Sequence, residues 1–228
     1  MHPIPPFPVH KLVHIPDGPA VIEGMLEAPK APQGMVLFAH GSGSSRHSPR
    51  NNYVARVLRE AGIGTLLMDL LTTEEDRNDE TRFDILLLTR RLMVATRWLR
   101  QQAGYGSLPM GYFGASTGAA AALRAAAELG EAIAAVVSRG GRPDLAGRET
   151  LRRVRAPTLL LVGGRDAGVI ELNQAAYEVM TCERRLSIIP GATHLFEEPG
   201  ALEEVARQAS AWFAGHFGAA PLSQPSSD

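Results

Sequence analysis

Gly114-Ala115-Ser116-Thr117-Gly118 sets a serine between two glycines, each two residues away. That G-x-S-x-G spacing suits a turn from strand to helix too tight for side chains at its flanks. A serine there is lifted above a sheet, and the helix behind it offers free N–H groups to a developing oxyanion. Taken alone the pattern is weak, since chance supplies roughly one match in eight chains of this size. It gains weight from its context, because GYFGA ends like a buried strand and the alanine-rich run after it reads as a helix. The plain alternative is a helix N-cap in which Ser116 only caps.

A serine nucleophile needs a base, and the base needs a carboxylate that fixes its tautomer. On this strand–turn–helix pattern the chain order is Ser, then Asp or Glu, then His. Two histidines follow Ser116. His216 falls in the last predicted helix and is expected to be exposed. His194, in Pro190-Gly191-Ala192-Thr193-His194-Leu195-Phe196, lies just beyond the last predicted strand, where open α/β sheets bind ligands. Asp166 ends TLLLVGGRD in the equivalent place on the preceding strand, whereas Asp144 reads as a helix cap. The predicted triad is Ser116, Asp166 and His194. The oxyanion hole should draw one N–H from Thr117 and one from the glycine-rich loop His40-Gly41-Ser42-Gly43-Ser44-Ser45, with Ser42 first and Gly43 second in order of preference. This loop lacks the G-x-x-x-x-G-K-[ST] phosphate pattern, and Arg46 stands where G-x-G-x-x-G requires its third glycine. His40 is expected to shape the loop and not to act as a second base.

The elements that would position these residues alternate along the chain. Apolar runs that fit buried strands are Val9–Ile15, Ala20–Ala28, Met35–Ala39, Thr65–Leu70, Gly111–Ala115, Ile133–Ser138, Thr158–Val162 and Leu186–Ile189. Their continuous apolarity suits parallel strands covered on both faces. Helical spacing predicts helices over 51–61, 83–102, 117–129, 173–180 and 201–217. The expectation is one doubly wound α/β domain over residues 1–217, with 218–228 a frayed tail.

Composition narrows the partners. The 228 residues carry a net charge of −1, with 45% hydrophobic and 21% charged residues, which is ordinary globular usage. No basic excess exists to neutralise a phosphate backbone, so nucleic acid is not expected as a partner. No membrane span is expected, and the proline-rich start has no apolar core of a signal peptide. A lone Cys182 outside any metal-ligand spacing favours a reducing cytoplasm. Neither a metal nor an organic cofactor is required by the predicted chemistry.

Together HGSGSS, GASTG, GGRD and GATHLF resemble the α/β-hydrolase superfamily, in its dienelactone hydrolase-like branch, over about residues 20–215. The resemblance implies an eight-stranded sheet with an antiparallel second strand, and hydrolysis of an ester or lactone through an acyl-enzyme. By position it assigns the nucleophile to Ser116, the acid to Asp166 and the base to His194. One departure is that dienelactone hydrolases proper carry a cysteine at the nucleophile. The chain also resembles hydrolase-like modules that occur beside phosphoribosyltransferase domains, and no such domain is read in these 228 residues.

Substrate choice has fewer signals. Residues 139–157 are too few for a lid domain, which predicts an open site favouring small acyl groups. Arg139, Arg142 and Arg46, with Arg50 beside them, are candidates to grip a substrate carboxylate or phosphate, since a guanidinium is a planar two-pronged donor. The competing expectation pairs them with Asp144, Glu149 or loop carbonyls. The acidic stretch 72–84 reads as a solvated loop that could also flank the site. The same triad would serve a thioesterase, an acyltransferase or an amidase, and the same pocket could serve a non-catalytic binding module for a phosphorylated or other small molecule.

Overall fold

The computed structural model describes residues 8–218. Its strands are β1 (Val9–Asp17), β2 (Ala20–Ala28), β3 (Met35–Ala39), β4 (Gly64–Met68), β5 (Met110–Ala115), β6 (Ala135–Arg139), β7 (Thr158–Gly163) and β8 (Arg184–Ile189). They form one sheet in the order β1-β2-β4-β3-β5-β6-β7-β8. β1 and β2 form an antiparallel hairpin, β2 runs antiparallel to β4, and every pairing from β4 to β8 is parallel. The helices are α1 (Pro49–Glu60), α2 (Asp79–Arg82), α3 (Ile85–Gln101), α4 (Thr117–Leu129), α5 (Arg148–Arg153), α6 (Ala167–Val179) and α7 (Ala201–Phe217).

The two-residue period of a strand explains the layers. Val36 and Phe38 of β3 turn to one face with Phe113, Val137 and Leu161, where α1 and α7 cover them through Leu58, Val205 and Phe213. Met35, Leu37 and Ala39 turn to the other face with Leu66, Tyr112 and Val136, under α3 and α4. Both faces are buried, which is why the central strands carry no polar alternation. Alanines of α4 let that helix lie close to the sheet: a Cβ on Gly114 would stand 2.5 Å from the Cα of Ala119.

The segment between β6 and β7 holds only a short 3-10 turn (Pro143–Ala146) and α5, so no large extra domain sits over the sheet. Three expectations change. α6 begins at Ala167, six residues earlier than its predicted start, directly behind Asp166. The short helix expected to open at Asp144 is a 3-10 turn, and α5 starts beyond it at Arg148, burying only Thr150 and Leu151. Part of the 72–84 stretch is helical, with a 3-10 turn at Glu75–Arg77 and α2 capped by the Asn78 side chain. The predicted tail beyond Gly218 lies outside the described residues.

Candidate active site

The carboxyl ends of β3, β5, β6, β7 and β8 lie flush, since Ala39 pairs with Gly114, Ala115 with Arg139, Arg139 with Leu161 and Gly163 with Ile189. Loops leaving these ends therefore meet at one rim. Ser116 joins β5 to α4 with φ 50° and ψ −121°, a backbone conformation disfavoured for any residue with a Cβ. Gly118 is needed because a Cβ there would stand 2.2 Å from the carbonyl oxygen of Ala39 and 2.4 Å from that of His40.

Asp166 and His194 are brought together by a close crossing of two loops. A Cβ on Gly163 would fall 2.5 Å from the Thr193 carbonyl oxygen, so only glycine lets the end of β7 touch the 190–194 loop. Gly164 N–H donates to Ile189 and Arg165 N–H to Ala192, which fastens the two loops side by side. His194 Nδ1 then lies 2.6 Å from Asp166 Oδ2. With Nδ1–H donating to the carboxylate, Nε2 is left as the ring's basic nitrogen. His194 and Ser116 line one cleft of about 210 Å³ together with Gly41, Ser42 and Arg139. No direct Ser116–His194 hydrogen bond is present among the described residues.

The glycine-rich loop packs against Ser116, whose Cβ would be 3.0 Å from a Cβ on Gly41. His40 is buried and uses both ring nitrogens: Nδ1 bonds the Gly41 carbonyl at 2.8 Å, and Nε2 accepts the Leu70 N–H at 2.9 Å. Burial holds its pKa below the ordinary value, so the ring is a neutral strut between the ends of β3 and β4. Ser42 N–H donates to Thr117 Oγ1 at 2.9 Å, pinning the loop to the first turn of α4. Sequence reasoning had no signal for that bond, whose partners lie 75 residues apart.

The candidate arginines separate. Arg46 pairs with Asp69 and, at 2.6 Å, with Glu23. It lines a different cleft of about 730 Å³, between the β2 end of the hairpin and residues 71–81. Arg142 grips Asp144 through two bonds of 2.9 and 2.7 Å, so Asp144 is an ion-pair partner and not a cap. Neither reaches the Ser116 cleft. Arg139 does line it, 8% exposed, as does Arg50. Burial, then the neighbouring Arg50, pushes the Arg139 guanidinium down to about 10, still charged at neutral pH. No residue of 72–84 lines this cleft. His216 is less exposed than expected, its ring tilted at 45° against that of Trp212 with centroids 4.5 Å apart and Nδ1 bonded to the Trp212 carbonyl, and it does not line the Ser116 cleft. Among the described residues no group of three or more His, Cys, Asp or Glu is placed to hold a metal ion.

No family model matches the sequence. Two Mycobacterium tuberculosis proteins, from strains CDC 1551 / Oshkosh and H37Rv and each named "Putative phosphoribosyl transferase", are 59% identical over 205 residues. The match takes in 90% of this chain and 46% of theirs, so the chain spans about half the length of the curated relatives it matches. The crystal structure of a dienelactone hydrolase from Anabaena variabilis ATCC 29413 is 55% identical, with a TM-score of 0.88 over 92% of this chain and 98% of that one. Est1E from Butyrivibrio proteoclasticus shares the fold at 15% identity, with a TM-score of 0.78 over 91% of this chain and 99% of its own. The fold described above is that of an α/β-hydrolase. Within that superfamily the chain belongs to the dienelactone hydrolase family, a hydrolase fold of the esterase type. No helix among the described residues is long and apolar enough to cross a membrane.

Proposed function

We propose that this protein is a serine hydrolase that cleaves small carboxylic esters or lactones through an acyl-enzyme. The observation that carries the reading is the 2.6 Å His194–Asp166 bond beside a backbone-strained serine in the same cleft. In this reading Ser116 Oγ attacks the ester carbonyl while His194 Nε2 takes its proton. The Asp166 carboxylate keeps the ring oriented and offsets the charge it gains. The oxyanion is held by the Thr117 N–H, in the first turn of α4 where no intrahelical partner exists, and by the Ser42 N–H. Ser42 N–H rests on a neutral hydroxyl in the free protein, and a charged oxygen is the stronger acceptor. Gly43 N–H is the alternative second donor. His194 gives its proton to the leaving alkoxide, and the alcohol departs. Water, losing a proton to the same nitrogen, then attacks the acyl carbon, and His194 returns that proton to Ser116 Oγ as the acyl–Oγ bond breaks and the acid leaves. No step calls for a metal or an organic cofactor. A single half-buried cysteine is in keeping with a reducing cytoplasm.

Intact-protein mass spectrometry after a fluorophosphonate probe tests the reading. One adduct on the wild type and none on Ser116→Ala is expected. A folded wild type that takes up no probe would overturn it.

A further inference from the structure

We propose that Asn173, in the middle of α6, is the positioning residue that holds Ser116 in its strained conformation. The inference rests on the serine hydrolase reading, since it gives Asn173 the placing of the nucleophile. A serine at φ 50° keeps that backbone only where its surroundings fix it from several sides. Two of those sides belong to the loop that leaves β6. Ser116 N–H donates to the Arg139 carbonyl at 3.2 Å, and the Ser116 carbonyl accepts the Arg142 N–H at 3.1 Å. Residues 139 and 142 thus grip the peptide groups before and after the nucleophile, and whatever fixes the loop between them fixes Ser116. That loop is pressed close: a Cβ on Gly141 would stand 2.0 Å from Ser138 Oγ and 2.7 Å from the Ala119 Cβ. Its middle is bonded by Asn173, whose Nδ2 donates to the Gly141 carbonyl at 2.9 Å and to the Val169 carbonyl at 2.8 Å. Both acceptors are carbonyls, which settles the end of the amide that faces them.

Asn173 is fully buried, and its Oδ1 has no partner among the described residues. For stability alone this is a poor choice, since asparagine is a weak helix former and a buried, unpaired amide oxygen is unfavourable. A leucine would fill the place without either defect. What the amide adds is the bond to Gly141, 32 residues away. Asp166 stands at the N-cap of the same helix, two turns before Asn173. One rigid element therefore carries both the carboxylate that orients His194 and the amide that fixes the loop behind Ser116, which sets acid and nucleophile in a common frame.

The test follows, on the full chain, the rate at which Ser116 takes up a fluorophosphonate probe. Asn173→Ser keeps a hydroxyl that can return to the Val169 carbonyl one turn back but is too short for Gly141, whereas Asn173→Ala removes both bonds. Either variant is expected to label about tenfold to a hundredfold more slowly, the effect of a small misplacement of a reacting group. The pH of half-maximal labelling should stay where it is in the wild type, because the His194–Asp166 pair is untouched. Leu99→Ala is the control for lost stability: it opens a cavity near the end of α3, by the amino end of β5. It should melt at least as low as the Asn173 variants and still label at the wild-type rate. Should Asn173→Ala not fold, Asn173→Ser carries the same comparisons. Labelling that simply follows melting temperature across the variants, or an Asn173→Ser protein as fast as the wild type, overturns the inference and leaves the hydrolase reading standing. A shifted half-maximal pH overturns it too, since Asn173 would then act through α6 on Asp166. A folded wild type that takes up no probe ends the hydrolase reading itself, and this inference with it.

Discussion

At the scale of single residues, the site holds Ser116 in a conformation that favours glycine. Strain of this kind costs on the order of 1–3 kcal/mol. Replacing the side chain by hydrogen relieves it, offset in part by the freer unfolded chain of glycine. Ser116→Gly should therefore abolish turnover yet raise unfolding free energy by about 1 kcal/mol, read from urea denaturation. His40 makes a second prediction. Its folded pKa lies below the ordinary 6.5 because the ring is buried. Below pH 6.5 the unfolded chain takes up a proton there that the folded protein refuses, so the unfolded state binds more protons and stability rises with pH. The contribution is complete above 6.5 and is lost as the pH falls through the lower folded value. His40→Asn should flatten the stability–pH slope between pH 6.5 and 5. Wherever the new side chain leaves the Leu70 N–H unpaired, it should also lower stability at pH 8 by about 1–3 kcal/mol.

At the scale of elements, the contact between α4 and the end of β3 decides whether the site assembles. Gly118→Ala pushes a methyl group onto two backbone carbonyls, which have no rotamer to move into. A loss on the order of 3 kcal/mol or more is expected, seen as a large fall in melting temperature or as insoluble protein. Gly168→Ala in α6 meets nothing within 4 Å and should instead stabilise by about 0.5–1 kcal/mol. The strands and the order Ser116, Asp166, His194 were legible because each is a local pattern: an apolar run, a tight turn, a loop after a strand. The true start of α6 was not, since Gly168 and the buried Asn173, bonded to the Gly141 carbonyl, carry no apolar stripe. The fate of the arginines followed distance along the chain. Arg142 has its partner two residues away, within reach of a sequence argument. Arg46 finds Glu23 and Asp69, each 23 residues distant, only once β2 and β4 are paired.

At the scale of the whole molecule, the absence of any large domain between β6 and β7 leaves the Ser116 cleft small and near the rim. Long acyl chains then have no apolar tunnel to enter. In a series of 4-nitrophenyl esters, the twelve-carbon acyl group should gain nothing in kcat/KM over the two- to four-carbon groups, since methylenes that stay in water supply none of the about 0.8 kcal/mol each that burial would give. Ser116, Asp166 and His194 all stand at the carboxyl ends of the strands, and the opposite edge of the sheet holds none of them. Cys182 lies near that opposite edge, just before β8, half-buried and with its thiol pushed up by that burial. A maleimide or a gold surface thus meets little competition from the native thiol. A cysteine introduced at exposed Arg155, shortly before β7 begins, would tether the molecule by its foot with the working rim facing the solution.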